Sequence, residues 1–290
     1  MLNRIAIVTD TNSGIMSKEA TELGVYVIPM PFMINSKTFY EDVDLSKEEF
    51  YAQLDEGADI ATSQPSPGHV LELWDNLLKE HDYVIYIPMS SGLSSSCHNA
   101  MMLSADYEGR VLVVDNQRIS VTQRQAVLDA LKLRDAGKSA EEIKQILLDT
   151  KFDSSIYIML DTLYYLKKGG RITPSAAAIG TVLKLKPVLQ IQGDKLDAFA
   201  KARTINQAKT IMMAAIKADI EKRFGGLTDE KQIWLQIAHT QNEEAAEALK
   251  EELAEYLPGY DIYVDHLPLS IACHIGPGSL AIACCKKLEV

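Results

Sequence analysis

Positive charge is in short supply in this 290-residue chain. Its 29 lysines and arginines face 40 aspartates and glutamates, for a formal net charge of −11. That balance argues against nucleic acid as a partner, because phosphate binding generally takes a basic face. Any anionic ligand must then be held by local groups rather than by a long-range field. Cysteine is sparse as well. Cys97, Cys273, Cys284 and Cys285 show no C-x-x-C spacing and read as buried free thiols of a reduced, cytoplasmic protein rather than as metal ligands. No apolar run reaches the roughly 18 residues of a transmembrane helix. The opening "MLNRIAIVTD" passes straight into a strand-like run, without the apolar stretch and cleavage site of a secretory leader. Aromatic-basic stripes, low-complexity tracts and internal repeats are also missing.

What the chain does have is apolar content, 47% of its residues, enough for one large domain or two medium ones. "IAIVTD", "YVIYIP" and "VLVVD" are buried-strand runs, with helices predicted over 17–23, 70–80, 120–135 and 140–150 and after the serines of 90–96. Ser46 and Glu49 form a capping box for "SKEEFYAQL". Short apolar runs separated by helices imply a parallel sheet covered on both faces. Beyond residue 152 the pattern shifts to shorter, more widely spaced strands, "SIYIML", "PVLQI", "KLDAFA", "IWLQIAH" and "DIYVDH", with long helices over 204–224 and 242–256. The expected fold is α/β in two domains. Residues 1–152 form a three-layer N-terminal domain with a parallel sheet, and 153–290 a smaller α+β domain with a mixed sheet. The cleft between them is the default ligand site.

Four constellations carry candidate chemistry. "TSQPSPG" (62–68) clusters hydroxyls around two prolines. Either Ser66 is a helix N-cap and Thr62 and Ser63 are ordinary loop residues, or the hydroxyls face an anion at a helix N-terminus. "SSGLSSS" (90–96) follows a strand and allows three roles for Ser94: helix cap, anion-binding hydroxyl or nucleophile. The order Ser94, Asp161 or Asp265, His274 matches that of α/β hydrolases, but Ser96 stands where the nucleophile elbow has its second glycine. "YLKKGGRIT" (165–173) is either a helix C-terminus closed by glycine, with basic residues facing the dipole, or a loop that aims Arg171 at a ligand. His274 in "HIGPG" is either a satisfied core histidine or a donor near the ligand. Asp10 and Asp115 follow strands, yet neither has a second carboxylate nearby in sequence, so no metal is expected.

Taken in order, "IVTD" (7–10), "TSQPSPG", "SSGLS" (90–94), "VVD" (113–115), "YLKKGGRI" (165–172), "LKLKPVL" (183–189) and "HIGPG" (274–278) resemble the DegV family, the fatty-acid-binding subunits of the bacterial fatty acid kinase system. The resemblance spans nearly the whole chain. It implies a two-domain protein with a long-chain fatty acid such as palmitate bound between the domains. The carboxylate is then held by Thr62 and Ser94, with Ser63, Arg171 and His274 in support. It also implies that the protein itself does no chemistry and needs no cofactor beyond the bound acid. It presents that acid to the separate catalytic subunit of a fatty acid kinase and carries the product onward as lipid transport, leaving room for transient membrane contact. The sequence departs from the family pattern in three places: Ser95-Ser96 replace a glycine-containing pair, Thr11-Asn12 replace Ser-Thr, and Ala281 replaces a common glycine. A serine hydrolase or acyltransferase using Ser94 and His274 is the alternative, and a regulatory module binding a small anion or protein is the third reading.

Overall fold

The β-branched runs of the first half are buried along most of their length, as strands covered on both faces must be. A computed structural model of the chain describes residues 4–41, 43–179, 185–193, 195–226 and 232–289. Leu183 and Lys184 of the "LKLKPVL" segment lie outside these. In chain order the first elements are β1 (Ile5–Asp10), α1 (Ser17–Leu23), β2 (Tyr26–Ile28), β3 (Pro31–Ile34), β4 (Lys37–Tyr40), α2 (Lys47–Asp55) and β5 (Ile60–Thr62). Then come α3 (Pro67–Leu77), β6 (Tyr83–Ile87), α4 (Ser96–Ser104), β7 (Val111–Val113), α5 (Ser120–Asp135) and α6 (Ala140–Asp149). The second half holds β8 (Ser154–Met159), α7 (Tyr164–Gly169), α8 (Pro174–Ile179), β9 (Lys186–Ile191), β10 (Asp197–Ala202) and α9 (Ile205–Lys222). It closes with β11 (Ile233–His239), α10 (Glu243–Tyr256), β12 (Ile262–His266), α11 (Leu269–Ile275) and β13 (Leu280–Lys286).

The chain divides into two compact units, the first running through Lys151 and taking in Pro268–Ser270, the second beginning at Phe152. The first unit is built on a parallel sheet in the order β2-β1-β6-β7. Helices α3 and α4 set Val70, Trp74, Cys97 and Ala100 against Ala6, Val8, Val84 and Tyr86 on one face. Val70, Trp74 and Leu77 recur at helical spacing, which makes α3 amphipathic. A separate antiparallel sheet, β4-β3-β5, ends at Thr62, which pairs with Phe32. The prolines of "VYVIPMPFMI" explain the split, since they divide one extended run into β2 and β3, which belong to different sheets.

The second unit carries a mixed sheet, β10-β9-β8-β13-β11-β12, antiparallel except for β11 beside β12. Helices α9 and α10 cover it with Met212, Ile216, Ile220, Leu249 and Leu253. The expected α/β architecture, parallel first and mixed second, is the one observed. Strand β13, absent from the sequence-based expectation, lies in the middle of that sheet. Its "LAIACCK" is rich in alanine, which is depleted in strands, and burial rather than propensity makes it one.

The candidate carboxylate site

The two hydroxyl loops sit where a strand hands over to a helix, and the two glycine loops where a helix ends. Thr62 is the last residue of β5, and the chain is fixed one residue later by Ser63 N–H donating to Pro31 O at 3.1 Å. The exposed Ser63 hydroxyl donates to Gln64 O at 3.3 Å. Ser66 caps α3, its Oγ accepting from His69 N at 3.2 Å, and Pro67 occupies the first turn, where a missing N–H costs nothing. The capping role of Ser66 is therefore real, and it leaves Thr62 and Ser63 outside the helix.

The serine loop is held by a set of hydrogen bonds around the buried Leu93. Ser90 is buried, its N–H donates to Arg118 O at 2.9 Å, and its Oγ accepts from Gly92 N at 3.2 Å. Ser91 N–H donates to Asp115 Oδ1 at 3.2 Å, and Ser94 N–H to Ser90 O at 3.1 Å. Ser94 Oγ accepts from Ser96 N at 3.2 Å and so helps close the start of α4. Among the described residues nothing takes the Ser94 hydroxyl proton, so Ser94 accepts the Ser96 N–H with a lone pair and keeps a donor to offer. The two loops meet through Asn99 of α4, whose Nδ2 donates to Gln64 Oε1 at 2.6 Å. Beside this junction opens a small, shallow recess, with Pro65, Tyr86 and Ser96 among the residues on its wall. Gln64 and Asn99 were not singled out by sequence reasoning.

In the second unit, "YLKKGG" forms α7, and Gly170 closes it in the left-handed conformation with its N–H on Leu166 O at 2.9 Å. The Arg171 guanidinium folds back onto Gly169 O. His274 stands in the last turn of α11. Its imidazole packs so tightly on Gly169 that a Cβ there would overlap Nδ1. Burial, and then the nearby Arg171 charge, pull its pKa down to about 4, so it is neutral at neutral pH. A general base works best with a pKa near the operating pH, and His274 is far below it. Asp161, one of the two possible triad acids, is engaged by Lys186 at 2.5 Å. The sequence-selected residues thus fall in both units, Thr62, Ser63 and Ser94 in the first, on loops joined through Gln64 and Asn99, and Arg171 near His274 in the second.

Asp10 and Asp115 accept backbone N–H groups instead of gathering other ligands. Among the described residues no cluster of three or more potential metal ligands occurs, and no helix is long and apolar enough to cross a membrane. All four cysteines are free thiols and buried.

Comparison with known proteins converges on one group. A family model described as "Uncharacterised protein, DegV family" matches residues 4–287. Protein DegV of Bacillus subtilis (strain 168) is 29% identical over 286 residues, which cover 98% of this chain and 99% of the relative. Among solved structures, one described as showing fatty acid binding of a DegV family protein from Thermus thermophilus superposes with a TM-score of 0.89. It is 31% identical, with 98% of this chain and 100% of the other covered. The crystal structure of DegV from B. subtilis, described as a fatty acid binding protein, gives a TM-score of 0.86 at 28% identity, covering 98% and 100%.

Proposed function

The chain belongs to the DegV family, and from that premise we propose that it binds one long-chain fatty acid and presents its carboxylate to a separate fatty acid kinase. Thr62 and Ser94 donate to the carboxylate, with Ser63 adjacent, while Arg171 and His274 contribute on the strength of the family motif. The observation that carries this reading is the Asn99–Gln64 hydrogen bond of 2.6 Å, which ties the two hydroxyl loops to each other at the starts of α3 and α4. Neutral hydroxyls beside helix N-termini suit a single anion on a chain with net charge −11. Affinity comes mainly from the tail, since each buried methylene contributes about 0.8 kcal/mol and a C16 chain on the order of 10 kcal/mol before ordering costs. The hydroxyls set orientation. In this reading the chain is an acyl carrier, without a catalytic residue of its own.

Native mass spectrometry of the purified protein tests the proposal. The expected result is a mass excess fitting one C14–C18 acid, and a clean apo mass that stays unchanged after palmitate is added would overturn it. Replacing both Thr62 and Ser94 by alanine is expected to abolish kinase-dependent phosphorylation of the acid with the fold intact. A fluorophosphonate probe separates the hydrolase reading, because a serine without an aligned base stays unlabelled.

A further inference from the structure

Behind the serine loop lies a polar knot around Asp10, which caps the short 3-10 turn Thr11–Ser13 and also reaches beyond it. Asp10 is wholly buried at the end of β1, and among the described residues N–H donors meet it instead of a cation. Met89 N donates to Oδ2 at 3.0 Å, while Asn12 N and Gln123 Nε2 donate to Oδ1 at 3.0 and 3.1 Å. Gln123, in the first turn of α5, also donates to Thr9 Oγ1 at 3.1 Å and to Ile87 O at 3.2 Å, and Thr9 Oγ1 donates to Ile87 O at 2.9 Å. Ile87 and Met89, the residues either side of Pro88, are thereby clamped just before the serines begin. The knot is energetically unfavourable in two ways. Burial raises the Asp10 pKa in spite of the hydrogen bonds that lower it, and Gln123 Oε1 is buried without a hydrogen-bond partner among the described residues. A turn needing only stability is served better by neutral or apolar groups, so a buried carboxylate kept there points to a demand on geometry.

We propose that Asp10 and Gln123 are positioning residues for the fatty-acid head group, holding Ile87–Met89 so that the Ser94 hydroxyl is correctly aimed. The inference rests on the function proposed above, in which Ser94 donates to the carboxylate. The linkage is short: Met89 leads into Ser90, and Ser90 O receives the Ser94 N–H at 3.1 Å. Asparagine at position 10 would best keep Asn12 and Gln123 on its single oxygen, turning its NH2 against the Met89 N–H. Asp10→Asn therefore breaks the link to the serine loop specifically. Gln123→Leu removes the clamp on Ile87 O at similar volume.

The test measures affinities of the delipidated full-length protein for palmitate and for hexadecanol, which carries the same tail length without the carboxylate. Asp10→Asn and Gln123→Leu are each expected to weaken palmitate about tenfold, the equivalent of one hydrogen bond, and hexadecanol less than twofold. In a Ser94→Ala background, Asp10→Asn should add less than twofold, since both changes act through one group. Equal losses for both ligands, a full tenfold additivity with Ser94→Ala, or unchanged palmitate affinity in both single variants would each overturn the proposal. Should one variant fail to fold by circular dichroism, the other still decides. Wild-type protein that does not bind palmitate would instead sink the underlying function, and full palmitate affinity in Ser94→Ala would sink the role of Ser94.

Discussion

The serine loop of the first unit and the glycine loops of the second carry the motif residues of this chain, and different physics holds each in shape. Around Ser90–Ser96 the chain is shaped by hydrogen bonds to Asp115, Arg118 O and, through Met89, Asp10. Around 165–171 and 274–278 it is shaped by close packing: Gly169 lies against the His274 imidazole and Gly276 against the Tyr165 ring, each with no room for a Cβ. A hydrogen-bonded turn tolerates a change of side chain wherever its backbone angles are ordinary. A steric interlock does not tolerate even a methyl group. Ser95 takes ordinary right-handed angles in the first loop, whereas Gly169 and Gly276 of the second leave no space for a side chain.

Breaking the interlock should give the largest effect. Gly276→Ala puts a Cβ onto the Tyr165 ring at a φ of +77°, which together cost about 3 kcal/mol or more. Thermal unfolding is expected to shift down by several degrees, with the earliest loss of hydrogen-exchange protection in the second unit. Tyr165→Ala in the same chain should recover the steric part. If Gly276→Ala melts like the parent, the interlock is not what shapes this loop.

Acid separates the two regions by sign. His274 has a folded pKa of about 4 against an ordinary 6.5, so between those values the unfolded chain binds the extra proton. Its contribution to stability is complete above pH 6.5 and is lost as pH falls towards 4, amounting to about 2 kcal/mol by pH 5. Asp10 acts in the opposite sense. Its raised pKa means that the folded state takes up a proton above the ordinary carboxyl range, relieving a burial penalty as pH drops. Denaturant titrations at pH 7 and 5 should show parent stability falling and a His274→Gln variant falling by about 2 kcal/mol less. Identical pH profiles for the two would remove His274 as the cause.

A smaller effect is expected where the serine loop loses one of its ties. Asp115→Ala leaves the Ser91 N–H without its acceptor at 3.2 Å, and Asp115 is only half-buried, so water replaces part of the bond. The expected loss is about 1 kcal/mol, with Asp115→Asn close to the parent because its carbonyl can still accept. A loss as large as that of Gly276→Ala would mean that the two loops are not held by different physics after all.

The alternation of strands and helices was readable because it is written in local periodicity, and so were Ser46, Ser66 and Pro67, whose roles depend on residues within one turn. The C-terminal glycine cap of α7 was readable for the same reason. The β4-β3-β5 sheet and the central β13 were not, since β5 is three residues long and β13 is held by partners more than 40 residues away. In the site, Thr62, Ser94, Arg171 and His274 stand out through motif resemblance. What joins the loops does not: Asn99 meets Gln64 across 35 residues, and Gln123 meets Asp10 across 113. Single-sequence patterns carry no signal at those separations, and an ordinary helix glutamine looks the same whether it faces water or a buried carboxylate.

The smallest change sharpens the contrast most. Ser95→Gly restores a glycine where the family has one, the reverse of placing a side chain at Gly276. Ser95 sits at φ −73° and ψ −5°, ordinary right-handed angles, is exposed, and makes no side-chain capping bond. Glycine there gains no conformational relief and loses only some unfolded-state restriction, a penalty of about 0.5 kcal/mol. Palmitate affinity should stay within twofold, because the donating amides of Ser90, Ser91 and Ser94 precede the substituted residue and the Ser96 N–H that meets Ser94 Oγ is unchanged in kind. A glycine that instead changed affinity tenfold would show that this turn's flexibility, and not its hydrogen bonds, governs where the Ser94 hydroxyl points. The two loops would then differ only in how much room surrounds their glycines.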